Sequence, residues 1–177
     1  MENPDSGSSR RRAREVALQV LYAIDLGRGR TPLPGAEPDD EIAPEDEIAP
    51  EEKAPPAPAT PASGSLSMFD AVAANFEMPS GAREFARELV EQVESHLADL
   101  DRSISRHSAN WRIERMAAVD RNILRLGSYE LAHTSTPVGV IVNEAVDLAR
   151  RFSNDPSPSF VNGILDAVAR GVRDCET

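Results

Sequence analysis

Apolar and polar positions repeat most regularly between residues 138 and 170, where their spacing predicts two helices joined by a short turn. In the first helix, apolar residues recur at intervals of three and four, as one face of a helix requires. Thr136-Pro137 supplies a cap oxygen and a proline at the first helical position, which is a typical start signal. Asp155-Pro156 ends this helix, and Ser157-Pro158 repeats the start signal for the second.

The second of these helices begins with an unusual set of residues, Phe160, Asn162 and Gly163. They lie beside backbone N–H groups that have no partner within the helix, which is a natural place to bind a phosphate or another anion. The pattern alone favours a capped core helix with a glycine at a close helix crossing. Both interpretations stay open at this point.

The N-terminal segment predicts a helix that starts near Arg10, after a polar tail at residues 1–9 that we expect to be disordered. One apolar stripe is assigned to the core and comprises Ala13, Val16, Ala17, Val20 and Ile24. Leu18, Tyr22 and Leu26 follow one another at steps of four on a different side. A helix with two apolar stripes is either buried all round or shared with a partner. The arginines at its start cannot easily be buried, so the pattern favours a partner surface around Tyr22.

Residues 27–64 differ in composition from the rest of the chain, because prolines recur there between acidic residues. The formal net charge of the protein is −11, and nine carboxylates opposed by Lys53 alone lie between Thr31 and Ser63. The remainder of the chain is therefore only weakly acidic. Such a segment cannot build a core, and we expect a mobile linker that interrupts a domain running from residue 10 to 177. An inert insert is favoured over an internal mimic of nucleic acid that competes for the arginines.

The remaining segments also show helical spacing. A short helix is predicted from about Leu66 to Phe76, a longer one after Ser80 that continues in a bent piece towards Trp111, and another from about Ile113 to His133. On the last of these, Glu130 falls on the apolar stripe, where a carboxylate needs a cationic or amide partner. We expect that partner to be an arginine of the first helix. No stretch alternates with a period of two for long enough to predict a strand, so we expect an all-α bundle.

The chain carries little that points to catalysis or metal binding. Its histidines lie on different segments without the spacing of metal ligands, and no glycine loop suited to phosphate is present. Without a convergent nucleophile and base, we expect a protein that is not an enzyme and needs no cofactor. Cys175 has no partner for an internal disulfide, which suggests a reducing compartment. Because no apolar run could span a bilayer and no signal peptide is found, we expect a cytoplasmic protein without a membrane partner.

Three segments together resemble the NusB family of bacterial transcription antitermination factors. They are RRRAREVALQVLY at Arg10 to Tyr22, VDRNILRLGSYEL at Val119 to Leu131, and VNEAVDLARRF with SFVNGILD at Val142 to Asp166. The resemblance implies an all-α bundle of about six to seven helices in two subbundles of three to four helices, and a non-catalytic adaptor. It also implies pairing with NusE, a small-subunit ribosomal protein, and binding of the pair to the boxA element of nascent ribosomal RNA. With other Nus factors, the complex would help RNA polymerase to pass terminators.

The same resemblance implies roles for individual residues. The RNA contacts are Arg10, Arg11, Arg12, Arg14 and Arg125, with Phe160 and Asn162 at the entrance of the last helix. The NusE-facing residues are Tyr22 and Asp120, and Leu18 joins them from the second stripe. The family often has an acidic residue where this chain has Pro156, so a base contact there would fall to the neighbouring Asp155. Arginine forks bind phosphates, whereas an aromatic face and an amide can read an unstacked base.

Three other interpretations stay open. Leu18 and Tyr22 could pair with a second copy of the chain, in a homodimer that hides the RNA surface. A NusB-like domain also occurs as the RNA-binding module of ribosomal RNA cytosine methyltransferases, which would require a separate catalytic domain. The last alternative is a helical scaffold without a role in RNA binding.

Overall fold

The computed structural model of the protein describes residues 5–28, 63–79, 81–108 and 111–175. These residues form seven α-helices and one short 3-10 helix, and no strand occurs among them. In chain order the helices are α1 (Asp5–Gly27), α2 (Ser63–Ala73), α3 (Ala82–Ser95), α4 (Leu97–His107), α5 (Ala118–His133), α6 (Val138–Phe152) and α7 (Ser157–Cys175). The 3-10 helix, Ile113–Arg115, lies between α4 and α5. The prediction of an all-α fold is confirmed.

Helix α5 is the centre of the molecule. Every residue from Asp120 to Leu131 is buried, because α1, α3, α4, α6 and α7 all pack against this helix. Helices α1, α2 and α3 also pack on one another, whereas α6 and α7 pack together and α4 contacts α7. The two subbundles expected from the family resemblance therefore meet along α5.

The first apolar stripe of α1 lies in the core, as predicted. Its five residues share one continuous hydrophobic cluster with the buried faces of α3, α5, α6 and α7. Val16 and Val20 are fully buried there. Burial of a side chain of this size stabilises the fold by about 1.5–3 kcal/mol relative to exposure, so α1 is an integral part of the fold.

Helices α5 and α7 approach each other closely at Gly127. A Cβ atom added at this position would lie 2.8 Å from Cδ1 of Leu165, which is closer than carbon atoms pack without strain. Gly163, which the sequence pattern favoured as the residue at a close crossing, faces open space. The close crossing of α7 therefore depends on a glycine of α5.

Some boundaries differ from the sequence-based predictions. Helix α1 begins at Asp5, so residues 5–9 are helical rather than a disordered tail, and residues 1–4 lie outside the described part of the chain. The helix predicted from Ile113 to His133 is divided, because Met116 adopts an extended backbone with φ −70° and ψ 143°. The predicted linker lies outside the described residues except at its two ends.

Candidate functional site

Arg14 and Glu130 form a buried ion pair between α1 and α5. Nε and Nη2 of Arg14 donate hydrogen bonds of 2.8 and 2.7 Å to the two carboxylate oxygens of Glu130. Burial alone would lower the pKa of Arg14, but the hydrogen bond and charge of Glu130 and the charge of Glu144 raise this pKa above its ordinary value. The predicted arginine partner of Glu130 is thus confirmed. Arg14 is only 3% exposed, so its assignment as an RNA contact is corrected to a structural role.

A second buried cluster joins α1, α4 and α5. Asp25 of α1 accepts hydrogen bonds of 2.6 Å from Arg121, 3.2 Å from Asn122 and 3.5 Å from Arg125. Arg125 also donates two hydrogen bonds, of 2.7 and 2.8 Å, to Asp101 of α4. Burial alone would raise the pKa of Asp25, yet the hydrogen bond and charge of Arg121, the charge of Arg125 and the hydrogen bond of Asn122 lower it below its ordinary value. Because Arg125 is buried and holds three helices together, its prediction as an RNA contact is also corrected.

The other three predicted arginines of α1 extend towards solvent. Arg10 and Arg11 are exposed, and Arg12 is half-buried. The guanidinium carbon of Arg10 lies 5.9 Å from the ring centre of Phe85, and that of Arg12 lies 5.3 Å from the ring centre of Phe76. Such cation–π contacts orient a guanidinium without removing its charge. The start of α1 therefore presents accessible positive charge.

The C-terminal end of α6 adds two further arginines beside the start of α1. Asp147 accepts a hydrogen bond of 2.7 Å from Arg11 on one oxygen and of 2.9 Å from Arg150 on the other. Arg151 pairs with Glu15 of α1. Both arginines of α6 have side chains that are more than half exposed. The carboxylates of Asp147 and Glu15 thus bring guanidinium groups from two helices onto one face.

We call this set the arginine surface. It consists of the ion-paired Arg11, Arg12, Arg150 and Arg151 together with Arg10, which precedes them on α1 and lies over Phe85. Neither Arg150 nor Arg151 was among the predicted RNA contacts. Their signal was weak, because adjacent arginines at the C-terminal end of a helix are also explained by the helix dipole. Only the ion pairs between α6 and α1 reveal that they extend the predicted cluster.

The turn between α6 and α7 is held by Asp120 of α5. Its two carboxylate oxygens accept hydrogen bonds of 2.6 Å from the hydroxyl of Ser153 and 2.8 Å from the hydroxyl of Ser157. Asp120 is buried by these contacts. The carboxylate is therefore occupied within the chain, which corrects the prediction that it faces a protein partner.

The predicted residues at the start of α7 lie on different sides of the helix. Phe160 is half-buried, and its ring meets Trp111 edge to face, with ring centres 5.8 Å apart. Asn162 is exposed and donates a hydrogen bond of 3.3 Å to Asp166, one turn further along α7. Asp155 is exposed in the turn before the helix. This entrance therefore offers an aromatic edge, an amide and a carboxylate to solvent.

The second apolar stripe of α1 is divided by the fold. Leu18 is only 2% exposed, so its prediction as a partner-facing residue is corrected, because the whole side chain packs in the core. Tyr22 is half-buried and Leu26 is exposed. At about 100° per residue, both lie on the same face of α1 as Glu15, which pairs with Arg151 of α6. The outer end of this stripe therefore continues along the same face of α1, with Tyr22 two helical turns, about 10 Å, beyond Glu15.

Three aromatic side chains stack at the C-terminal end of α5. The ring of His133 lies 4.6 Å from that of His96 and 5.0 Å from that of Tyr129. Burial and the neighbouring charge of His96 lower the pKa of His133. No group of histidine, cysteine and acidic residues in the described ranges is arranged to hold a metal ion. None of the helices described combines the length and apolar content needed to cross a membrane.

The fold and the family motifs recur in known proteins. A model of the NusB family matches residues 62–170. The chain is 39% identical over 162 residues to the transcription antitermination protein NusB of Myxococcus xanthus, which covers 91% of this chain and 94% of that protein. A structure of T. maritima NusB matches with a TM-score of 0.66 at 26% identity, covering 96% of this chain and 93% of that one. A crystal structure of the antitermination factors NusB and NusE in complex with double-stranded RNA gives 0.65 at 27% identity, covering 93% and 98% respectively.

Proposed function

The chain belongs to the NusB family, and we propose that it is a transcription antitermination factor that binds RNA together with the protein NusE. A relative that matches over most of its length is a transcription antitermination protein, and a solved relative is bound to NusE and RNA. Members of this family act as antitermination factors and not as enzymes, which confirms the prediction that the chain is not an enzyme.

The proposal that the chain binds RNA rests on the arginine surface. It brings guanidinium groups from the start of α1 and the end of α6 onto one face. Guanidinium forks bind phosphates with two parallel hydrogen bonds, and phosphate contacts position a protein on nucleic acid without reading its sequence. The net charge of −11 does not oppose this, because most of it lies between Thr31 and Ser63.

The carboxylates within the arginine surface are easily replaced by phosphate. Arg11 and Asp147 are both partly exposed, and Arg151 is exposed where it meets Glu15. Exposed ion pairs contribute only about 0–1 kcal/mol, so a phosphate can take over Arg11 at little cost. Glu15 is buried, but it keeps its pair with Arg12 when Arg151 turns to a phosphate. Asp147 and Glu15 then orient the arginines in the free protein and release them to RNA.

The exposed residues at the outer end of the second stripe indicate a surface that binds a protein. Tyr22 and Leu26 lie on one face of α1 and are not fully covered by the rest of the chain. A tyrosine combines a large apolar area with a hydroxyl that can form hydrogen bonds, which suits protein interfaces. We assign this face to NusE. A homodimer through Tyr22 is the alternative use of the same face, and light scattering with and without NusE separates the two.

The proposal extends to finer features expected from the family resemblance. The RNA would be the boxA element of nascent ribosomal RNA, and other Nus factors and RNA polymerase would join through the complex. These events would place the protein in the cytoplasm. Asn162 and Phe160 would contact a base at the entrance of α7, beside phosphates bound to the arginine surface.

The test of the RNA surface is a pair of double variants, Arg10→Ala with Arg11→Ala and Arg150→Ala with Arg151→Ala. Each is expected to weaken binding of single-stranded boxA RNA and to reduce the slope of log affinity against log salt by about 0.7 for each phosphate that the variant no longer binds. Fluorescence anisotropy at several salt concentrations measures both quantities.

Arg102→Ala is the matched control for these variants. Arg102 is an exposed arginine on α4, a helix that packs against α5 and α7. Its loss removes the same kind of charge but is expected to leave the RNA affinity and the salt slope unchanged. Because each double variant removes two charges and the control removes one, a control effect half as large as theirs would mean that only net charge matters. The assignment of the arginine surface would then be wrong.

A further inference from the structure

We propose that Trp111 and Phe160 form an aromatic platform on which an unpaired base of the bound RNA stacks. The inference rests on the RNA-binding function proposed above and adds a contact to a base. Trp111 is 57% exposed, more than any other large hydrophobic residue in the described ranges. A single exposed apolar side chain is common, but here a second ring, Phe160, adjoins Trp111 and enlarges the apolar surface that a ligand can cover.

The backbone of Trp111 is held in place, and its ring has an aromatic neighbour, before any ligand arrives. The backbone N–H of Trp111 donates a hydrogen bond of 2.8 Å to the carbonyl of Ser108, and the hydroxyl of Ser108 donates one of 3.0 Å to the carbonyl of Trp111. The rings of Trp111 and Phe160 meet at 68°, an arrangement that aromatic pairs favour. A platform held at its backbone and at one ring contact loses little conformational freedom when a base binds.

The charge around the platform suits a nucleic acid. Arg112 and Arg115 follow Trp111 in the chain and are exposed, and Arg106 is exposed in the last turn of α4. Glu114 is the only carboxylate between residues 111 and 115, and it lies 3.9 Å from Arg112. Even with the exposed Asp155 at the entrance of α7 included, the three arginines outnumber the two carboxylates, and this excess positive charge matches the phosphates on either side of a stacked base.

The platform selects unpaired RNA over a duplex. Stacking on an aromatic ring needs a free base face, and in a double helix both faces are covered by neighbouring bases. Every base has such a face, so the contact tolerates different sequences and adds affinity rather than strict sequence reading. Phe160 links the platform to the entrance of α7, where Asn162 offers an exposed amide. Because Asn162 lies on a different side of α7 from Phe160, the amide and the platform would be separate contacts with the bound RNA.

The only tryptophan of the chain is Trp111, so its own fluorescence reports on the platform. We expect single-stranded boxA RNA to quench this emission on binding, whereas a duplex of the same length binds through the arginine surface with little quenching. Free tryptophan amide, titrated in parallel, corrects for light absorbed by the RNA. Binding of the single strand without any change in emission would overturn the proposal.

Substitution of the ring gives a second, independent measurement. Trp111→Leu is expected to weaken binding of the single strand by about 5- to 100-fold, whereas Trp111→Phe keeps most of the affinity because it keeps a ring for stacking. Val140→Ala, which alters an exposed apolar residue on α6, is expected to bind as the parent protein does. Circular dichroism checks that each variant is folded. Affinity of Trp111→Leu within about twofold of the parent would refute the platform.

The outcomes separate this inference from the proposed function. If the arginine variants weaken RNA binding while Trp111→Leu does not, the platform is wrong and the RNA-binding function stands. If NusE changes the emission of Trp111 and RNA does not, the ring belongs to a protein interface and the proposal is overturned. Absence of RNA binding by the parent protein, with and without NusE, would overturn both.

Discussion

Each buried arginine in the described ranges lies against a carboxylate from another helix. Arg14 of α1 meets Glu130 of α5, while Arg121 and Arg125 of α5 meet Asp25 of α1. Taking one member away from such a pair leaves a charge in the interior without compensation, which destabilises a protein by about 3–5 kcal/mol. These ion pairs therefore fix the position of α1 on α5, as the apolar core also does.

The lowered pKa of Asp25 makes one of these ion pairs dependent on pH. The carboxylate stabilises the fold fully above its ordinary pKa of about 4, and this contribution is lost as the pH falls towards the lowered pKa in the folded protein. Asp25→Asn is expected to lower the free energy of unfolding by about 3 kcal/mol at neutral pH. The deficit relative to the parent should shrink below about pH 4, as urea unfolding at several pH values would reveal.

Asp99→Asn is the control for this measurement. Asp99 is an exposed acid whose pair with Arg102 lies on the surface of α4, so its loss should change stability very little. A deficit for Asp25→Asn that stays constant down to about pH 3 would contradict the prediction.

Individual residues differed in how far the sequence revealed their roles. Glu130 was assigned correctly, because a carboxylate on an apolar stripe requires a buried partner. Arg14 and Arg125 were not, because an arginine near other arginines carries no sign of whether it will be buried. That distinction depends on carboxylates far away in the chain, such as Asp101, which single-sequence periodicity cannot connect to them.

The helices themselves were largely predictable, because apolar spacing and start signals agree along most of the chain. The exceptions have local causes. At Ile113–Arg115 the chain forms a 3-10 turn, and Met116 is extended. Apolar residues along such a segment are spaced in the sequence nearly as they are in a continuous helix. Residues 5–9 contain serine and glycine, which favour helix poorly, but extending an existing helix costs less than starting one.

The crossing of α5 and α7 allows a matched test, because two glycines sit in very different surroundings. Gly127→Ala places a methyl group against the buried Leu165, whereas Gly163→Ala places one in open space. Both changes gain the same helix propensity, so that gain cancels in the comparison. We expect the Gly127 variant to be less stable than the Gly163 variant by about 1–3 kcal/mol, measured by urea unfolding. Equal stabilities would mean that the crossing has room to relax.

At the scale of the whole molecule, the two proposed partner surfaces lie along the same helix, about two turns apart. Glu15 and Tyr22 share one face of α1, and Glu15 contacts Arg151 of the arginine surface. Binding of NusE near Tyr22 would restrict the motion of these arginines, so RNA would lose less freedom when it binds afterwards.

We therefore expect saturating NusE to tighten RNA binding by about fivefold or more, and RNA to tighten NusE binding by the same factor. Calorimetric titrations in both orders measure the two factors. Tyr22→Ala should weaken NusE binding and reduce this coupling, while the RNA affinity of the protein alone stays unchanged. Equal RNA affinity with and without NusE would refute the coupling.

Helix α1 joins the rest of the fold across residues 29–62, and it is held to α5 by the Arg14–Glu130 and Asp25–Arg121 ion pairs. Because α1 is covalently joined to the other helices, it docks onto them as a peptide ligand at a high effective concentration would. A break anywhere in residues 29–62 would turn that docking into a bimolecular association. Assembly of the arginine surface would then depend on how much protein the cell contains.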